Sequence, residues 1–224
     1  MISLKQVSKS FGDVTAVNKV SLEVPAAGSL VILGPSGSGK TTLLRLIAGL
    51  EIPDEGEIYI DGKLASKSGW VKEPHLRGLG FVFQSSALWP HMTVAQNIMF
   101  GLYGSPSTEA RRRLHELLQD MSLTELEHRY PHQISGGEAR RVTLARTLAP
   151  KPKVLLLDEP LTNLDTDLKQ NILTVFKRAV TQFQATIIYV THDYKEAETI
   201  SDHILIMNNG CLEVPTGKKD KAEK

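Results

Sequence analysis

The sequence predicts an α/β fold with a parallel-sheet core, a flanking antiparallel β subdomain and an inserted helical subdomain. Three observations carry that prediction. Four short apolar runs rich in β-branched residues, at 30–33, 79–83, 154–157 and 186–190, have the length and continuity of strands buried on both faces. Each ends on a chemically loaded position: the glycine-rich segment from Gly34, then Gln84, Asp158-Glu159 and Thr191-His192. Between Ser85 and Ala149 the pattern turns helical and no strand period appears. Open α/β sheets hold ligands beyond the C-terminal ends of their strands, so these four endings are expected to converge on one site.

In chain order, 14–24 reads as a strand, as does 56–60, which an Asp61-Gly62 turn closes; together they suggest a small antiparallel sheet. A helix is expected at 43–50, behind the glycine-rich segment. The helical insertion spans about 85–149, bounded by Gln84 and by Pro150 and Pro152. Within it, Arg111, Arg112 and Arg113 lie on an amphipathic helix with Leu114, Leu117, Leu118 and Met121 as its apolar positions, and a solvated basic face is expected. Asn208-Asn209-Gly210 between two apolar runs signals a hairpin. One domain across 1–217, followed by a charged tail at 218–224, is the expected organisation.

Composition narrows the function. The chain has 224 residues and a formal net charge of +1, with no basic block outside the tail, so nothing points to nucleic acid. Cys211 is the one cysteine, which excludes a disulfide framework and a thiolate metal site and fits a reducing cytosol. The first six residues form no apolar signal core, and no apolar stretch approaches the roughly 18 residues that span a bilayer. Any membrane role therefore comes through a partner. His75, His115, His128, His132 and His203 show no metal-ligand spacing.

The motif with the clearest chemistry is Gly34-Pro35-Ser36-Gly37-Ser38-Gly39-Lys40-Thr41, a complete G-x-x-x-x-G-K-T loop after a strand. Its glycines turn backbone N–H groups inward around phosphates, Lys40 reaches the β and γ oxygens, and the Thr41 hydroxyl suits Mg²⁺. Alternate side chains of a strand point oppositely, so Asp158 and Glu159 cannot share a task. Asp158 suits the Mg²⁺ shell, and Glu159 suits the orientation and deprotonation of an attacking water. Ser135, three residues before Glu138, forms a capping-box pattern, but a cap does not require the adjacent Gly136 and Gly137, which weaken a first turn while baring N–H groups to an anion.

With these three motifs, the chain resembles the ATP-binding cassette family, the nucleotide-binding subunits of ABC transporters, from about Phe11 to Gly210. The resemblance implies ATP and Mg²⁺ as cofactors, with ATP held by residues 34–42, including Thr42, and Mg²⁺ by Thr41, Gln84 and Asp158. It implies Glu159, His192 and Gln84 as catalytic, and Phe11, where the usual residue is Tyr, as the ring stacked on adenine. Ser135, Gly136 and Gly137 are expected to cap the γ-phosphate of ATP held by a second, head-to-tail cassette, and the loop through Asn163 and Asp165 to cross to that partner. Glu138 departs from the usual Gln and brings negative charge near a triphosphate unless Ser135 N–H or Arg141 engages it. The segment after Gln84, with Leu88, Trp89 and Met92, and the Thr191-His192-Asp193 segment look most like bacterial solute importers. The implied partners are a membrane permease, against which the Leu88, Trp89 and Met92 cluster is expected to dock, and a solute-binding protein, at the cytoplasmic face of the cell membrane. Export or membrane-linked signalling, and less readily a soluble cassette ATPase or a small-molecule kinase, remain as alternatives.

Overall fold

The computed structural model describes residues 1–162, 164–201 and 203–214. Its strands are β1 (Ile2–Phe11), β2 (Val14–Val24), β3 (Ser29–Leu33), β4 (Glu55–Ile60), β5 (Lys63–Lys67), β6 (Trp70–Val71), β7 (Leu79–Val82), β8 (Val154–Asp158), β9 (Thr186–Thr191), β10 (Ile204–Asn208) and β11 (Cys211–Glu213). Its α-helices are α1 (Lys40–Ala48), α2 (Val94–Phe100), α3 (Ser107–Asp120), α4 (Gly136–Leu148), α5 (Thr166–Phe183) and α6 (Tyr194–Ile200). One sheet is antiparallel in the order β2-β1-β4-β5-β6; the other runs β11-β10-β3-β9-β8-β7, parallel except for β11.

Alternation along the central strands explains why they read as continuous apolar runs. Val31, Leu155, Leu157, Ile187 and Tyr189 face one core with α2 to α6; Leu30, Ile32, Leu156, Ile188 and Val190 face a second with α1 and the antiparallel sheet. Both faces are covered, so water reaches the sheet only at its ends. Helices α2, α3 and α4 all fall between β7 and β8, and their apolar stripes join the first core.

Three sequence expectations change. Helix α1 starts at Lys40 rather than at 43, because Gly39 takes a left-handed φ of 106° and its carbonyl accepts from the Leu43 N–H at 2.9 Å. It stops at Ala48 rather than at 50, where left-handed Gly49 caps it. The antiparallel sheet has five strands instead of the expected two. Arg113 is not on a solvated face: it is buried, donates to the Leu148 carbonyl at 3.1 Å and lies 5.6 Å from the Phe183 ring centre. Arg112 does face solvent, paired with Glu116 at 3.0 Å. The expected tail at 218–224 and Asn163 lie outside the described residues.

Candidate nucleotide site at the sheet edge

The loop between β3 and α1 curls over the helix start, and a side chain at Gly39 would run into the Ala16 carbonyl. Lys40 is buried, and its Nζ donates to the carbonyls of Gly34 at 2.8 Å and Pro35 at 2.7 Å and to Ser38 Oγ at 3.4 Å. Burial pulls its ammonium below the ordinary 10.5, while Glu159 and Asp158 push it back up. Next along the helix, the Thr41 hydroxyl donates to Asp158 Oδ1 at 3.2 Å, which joins the loop to the end of β8. Asp158 is itself buried, and burial raises its carboxyl above 3.8, opposed by the Thr41 hydrogen bond.

Glu159 turns away from Asp158 by adopting a left-handed φ of 45°, unusual for a residue with a side chain. Its N–H donates to the Val190 carbonyl at 2.9 Å, and Thr162 Oγ1 donates to its carbonyl at 3.1 Å. The Glu159 carboxylate then stands 3.4 Å from His192 Nδ1 at the end of β9. Beneath His192 lies a buried carboxylate, Glu196, which accepts from Tyr189 Oη at 2.7 Å, Thr191 Oγ1 at 3.0 Å and Lys169 Nζ at 2.8 Å. That network fixes the turn on which His192 is carried, and Asp193 caps α6 by accepting from the Lys195 N–H at 2.9 Å.

Ser36, Gly37, Gly39, Lys40, Thr41, Thr42, Gln84 and Glu159 line one cleft of about 320 Å³. The structure thus brings together the endings of β3, β7 and β8, with β9 joined through His192. Val14, Thr15, Ala16, Asn209 and Gly210 complete the lining. Phe11 does not line it; Phe11 is half exposed and pairs across the strands with Val14, which does. Ser135, Gly136, Gly137 and Asp165 are not brought to the cleft either. Among the described residues no group of three or more His, Cys, Asp or Glu could hold a metal by itself. The Thr41 hydroxyl and Asp158 carboxylate are hard oxygen donors that fit Mg²⁺ when phosphate oxygens and water complete its shell.

The family model described as ABC transporter matches residues 17–162. The chain belongs to the ABC transporter family. The sulfate/thiosulfate import ATP-binding protein CysA of Thermosynechococcus vestitus is 50% identical, over 95% of this chain and 62% of that protein. The Fe(3+) ions import ATP-binding protein FbpC of Photorhabdus laumondii is 46% identical, over 94% of this chain and 60% of that protein. The chain spans about three fifths of the length of these curated relatives. The solved dimer of the ATP-binding cassette MJ0796, in a post-hydrolysis state bound to ADP and Pi, superposes with a TM-score of 0.84 at 32% identity, over 96% of this chain and 97% of that one.

In this ABC cassette the Ser135 turn is a complete capping box. Glu138 Oε2 accepts from the Ser135 N–H at 2.6 Å, and Ser135 Oγ accepts from the Glu138 N–H at 3.3 Å. Of the two engagements that would tame the Glu138 charge, the structure uses Ser135; Arg141 donates to the Met121 and Ser122 carbonyls. Asp165 caps α5 by accepting from the Leu168 N–H at 3.0 Å. Ala16, Asn209, Gly210 and Arg140 stand near the site without a sequence signal that assigns them to it. Only the Asn-Gly turn carries a local signal, and that signal specifies a hairpin.

Proposed function

We propose that this chain binds Mg²⁺ and ATP in the cleft and hydrolyses the ATP as one half of a head-to-tail dimer. The energy drives import of a small solute through a membrane permease fed by a solute-binding protein, with the chain on the cytoplasmic face of the cell membrane. Residues 1–217 are taken as one cassette with its helical part at about 85–149.

The observation that carries the reading is that a phosphate-loop lysine, a Thr-Asp oxygen pair and a Glu-His pair meet at one sheet edge. Lys40 exchanges the Gly34 and Pro35 carbonyls for the β and γ oxygens, which the N-terminus of α1 also faces. Thr41 and Asp158, with Gln84 nearby, would hold Mg²⁺, which when bound would supply neutralisation of phosphate charge. Glu159 orients a water and takes its proton, and His192 holds that carboxylate in place. Phe11, at the strand end beside Val14, offers a stacking face to adenine.

Two observations support a composite site. The Ser135 turn lies outside the cleft, and a Cβ at Gly136 would meet nothing within 4 Å, so packing does not ask for glycine there. An anion brought by a second chain does. The related cassette has been solved as a dimer. Docking of a permease is supported by an apolar groove of about 290 Å³ lined by Phe81, Phe83, Trp89 and Phe100, with the Arg146 guanidinium 4.4 Å from the Trp89 ring centre. Leu88, expected to share that surface, packs instead on the core. Import is supported by relatives named as import subunits, and their different solutes, sulfate/thiosulfate and Fe(3+), leave the solute itself unassigned.

The test is release of inorganic phosphate from ATP with no acceptor present. The reading expects Mg²⁺-dependent release, and Lys40→Ala should abolish both it and tight ATP binding. Wild-type ATP affinity in that variant would remove the cleft from the account, and ATP consumption that requires an acceptor would make the protein a kinase.

A further inference from the structure

Arg140, one turn into α4, is 4% exposed, and a guanidinium that deep must place all its donors. It does so without touching a carboxylate. Nε donates to the Pro160 carbonyl at 2.9 Å; one terminal nitrogen donates to the carbonyls of Phe83 and, at 2.9 Å, Gln84; the other donates to those of Asp158 at 3.0 Å and Glu159 at 2.7 Å. All five N–H groups are therefore spent on the chain just past β7 and β8, where the sheet ladder ends and carbonyls lose their regular partners. The arrangement is specific to the fork of an arginine: a lysine offers three donors from one point.

We propose that Arg140 is a positioning residue that fixes the main chain carrying Gln84 and Glu159 to the helix begun by the Ser135 turn. This rests on the reading of Glu159 as the hydrolytic base. The left-handed Glu159 needs its conformation held from outside, and Arg140 shares that task with Thr162, whose hydroxyl and N–H both donate to the Glu159 carbonyl, and with the Val190 carbonyl, which accepts from the Glu159 N–H. Ser135 and Arg140 are five residues apart on a rigid helix, about 7 Å along its axis. A group that engages the Ser135 turn therefore pulls on the same helix that sets Gln84 and Glu159, without needing to touch either.

The experiment compares the full chain with Arg140→Gln and Arg140→Lys in two measurements. In amide hydrogen exchange, both variants should speed exchange at 83–86 and 158–162 together while leaving 34–42 as in the wild type. Unchanged exchange, or a change at only one segment, would overturn the proposal whether or not the protein hydrolyses ATP. In steady-state ATPase assays, Arg140→Gln should lower kcat on the order of 10- to 100-fold with KM within about twofold, and Arg140→Lys should restore part of it. If Arg140→Gln fails to fold, Arg140→Lys carries both readouts. A parallel loss of ATP affinity and melting temperature with kcat would show a merely structural residue. A wild-type rate that Glu159→Gln does not reduce would instead defeat the hydrolytic reading while the exchange result still stood.

Discussion

Asn97 is fully buried and spends its amide on the loop that carries Trp89. Its Oδ1 accepts from the Trp89 N–H at 3.0 Å, and its Nδ2 donates to the carbonyls of Trp89, Met92 and Thr93 at 3.2, 3.1 and 3.0 Å. Removing the amide leaves the Trp89 N–H and the Met92 carbonyl without these partners, while the Trp89 and Thr93 carbonyls keep the N–H groups of Met92 and Asn97. Asn97→Ala should cost about 2–4 kcal/mol in denaturant unfolding while ATP affinity stays near wild type, and a loss below about 0.5 kcal/mol would show that the loop is held otherwise. Asn97 and Arg140 share a reason for being invisible in sequence. Their partners are carbonyls, which every residue has, so neither spacing nor residue type marks them, and a buried polar residue reads as a surface one. Lys40, Asp158 and Glu159 stand out in the sequence because phosphate and metal chemistry asks for both residue type and position next to an apolar strand, and the structure brings them to one sheet edge.

At the level of elements, the same contrast separates the two sheets. β3, β8 and β9 are buried on both faces, β7 at the sheet edge is partly buried, and the apolar runs of all four announce them. β1 does not: its pairing with β2 shifts register between Leu4 and Val7, between Val7 and Lys9 and between Lys9 and Ser10, and Gln6 has a φ of 50°. Those bulges break the two-residue alternation that would have revealed the strand. Helix α4 was legible from its cap. The Ser135 N–H holds the Glu138 carboxyl below the ordinary 4.5, so its contribution is complete above that value and fades as pH falls through the lowered one. Glu138→Gln keeps a capping box, so unfolding at neutral pH should change by less than about 0.5 kcal/mol while the acid-side fading disappears. If the Ser135 turn faces a partner's triphosphate as proposed, ATP-driven dimerisation should strengthen in the same variant, since a negative charge leaves that turn. Weaker dimerisation would place the turn elsewhere in the assembly.

Across the whole molecule, the two cores leave the C-terminal edge of the parallel sheet open, and the endings of β3, β7 and β8 meet there in one cleft, with β9 joined through His192. The convergence was foreseeable from topology, whereas the lining by Ala16, Asn209 and Gly210 was not, because it arises from how the antiparallel sheet and the hairpin sit against the loop. Glu159 lines the cleft while the Ser135 turn lies outside it, so the proposed function, with Glu159 as base and the Ser135 turn capping a partner's nucleotide, expects ATP binding and assembly to be coupled. The most direct measurement is size-exclusion chromatography of Glu159→Gln with and without Mg²⁺ and ATP, paired with its turnover. The account predicts retained ATP binding, turnover lower by roughly 10²-fold or more, and a shift to dimer only when ATP is present. Unchanged turnover, or an elution position indifferent to ATP, would contradict it.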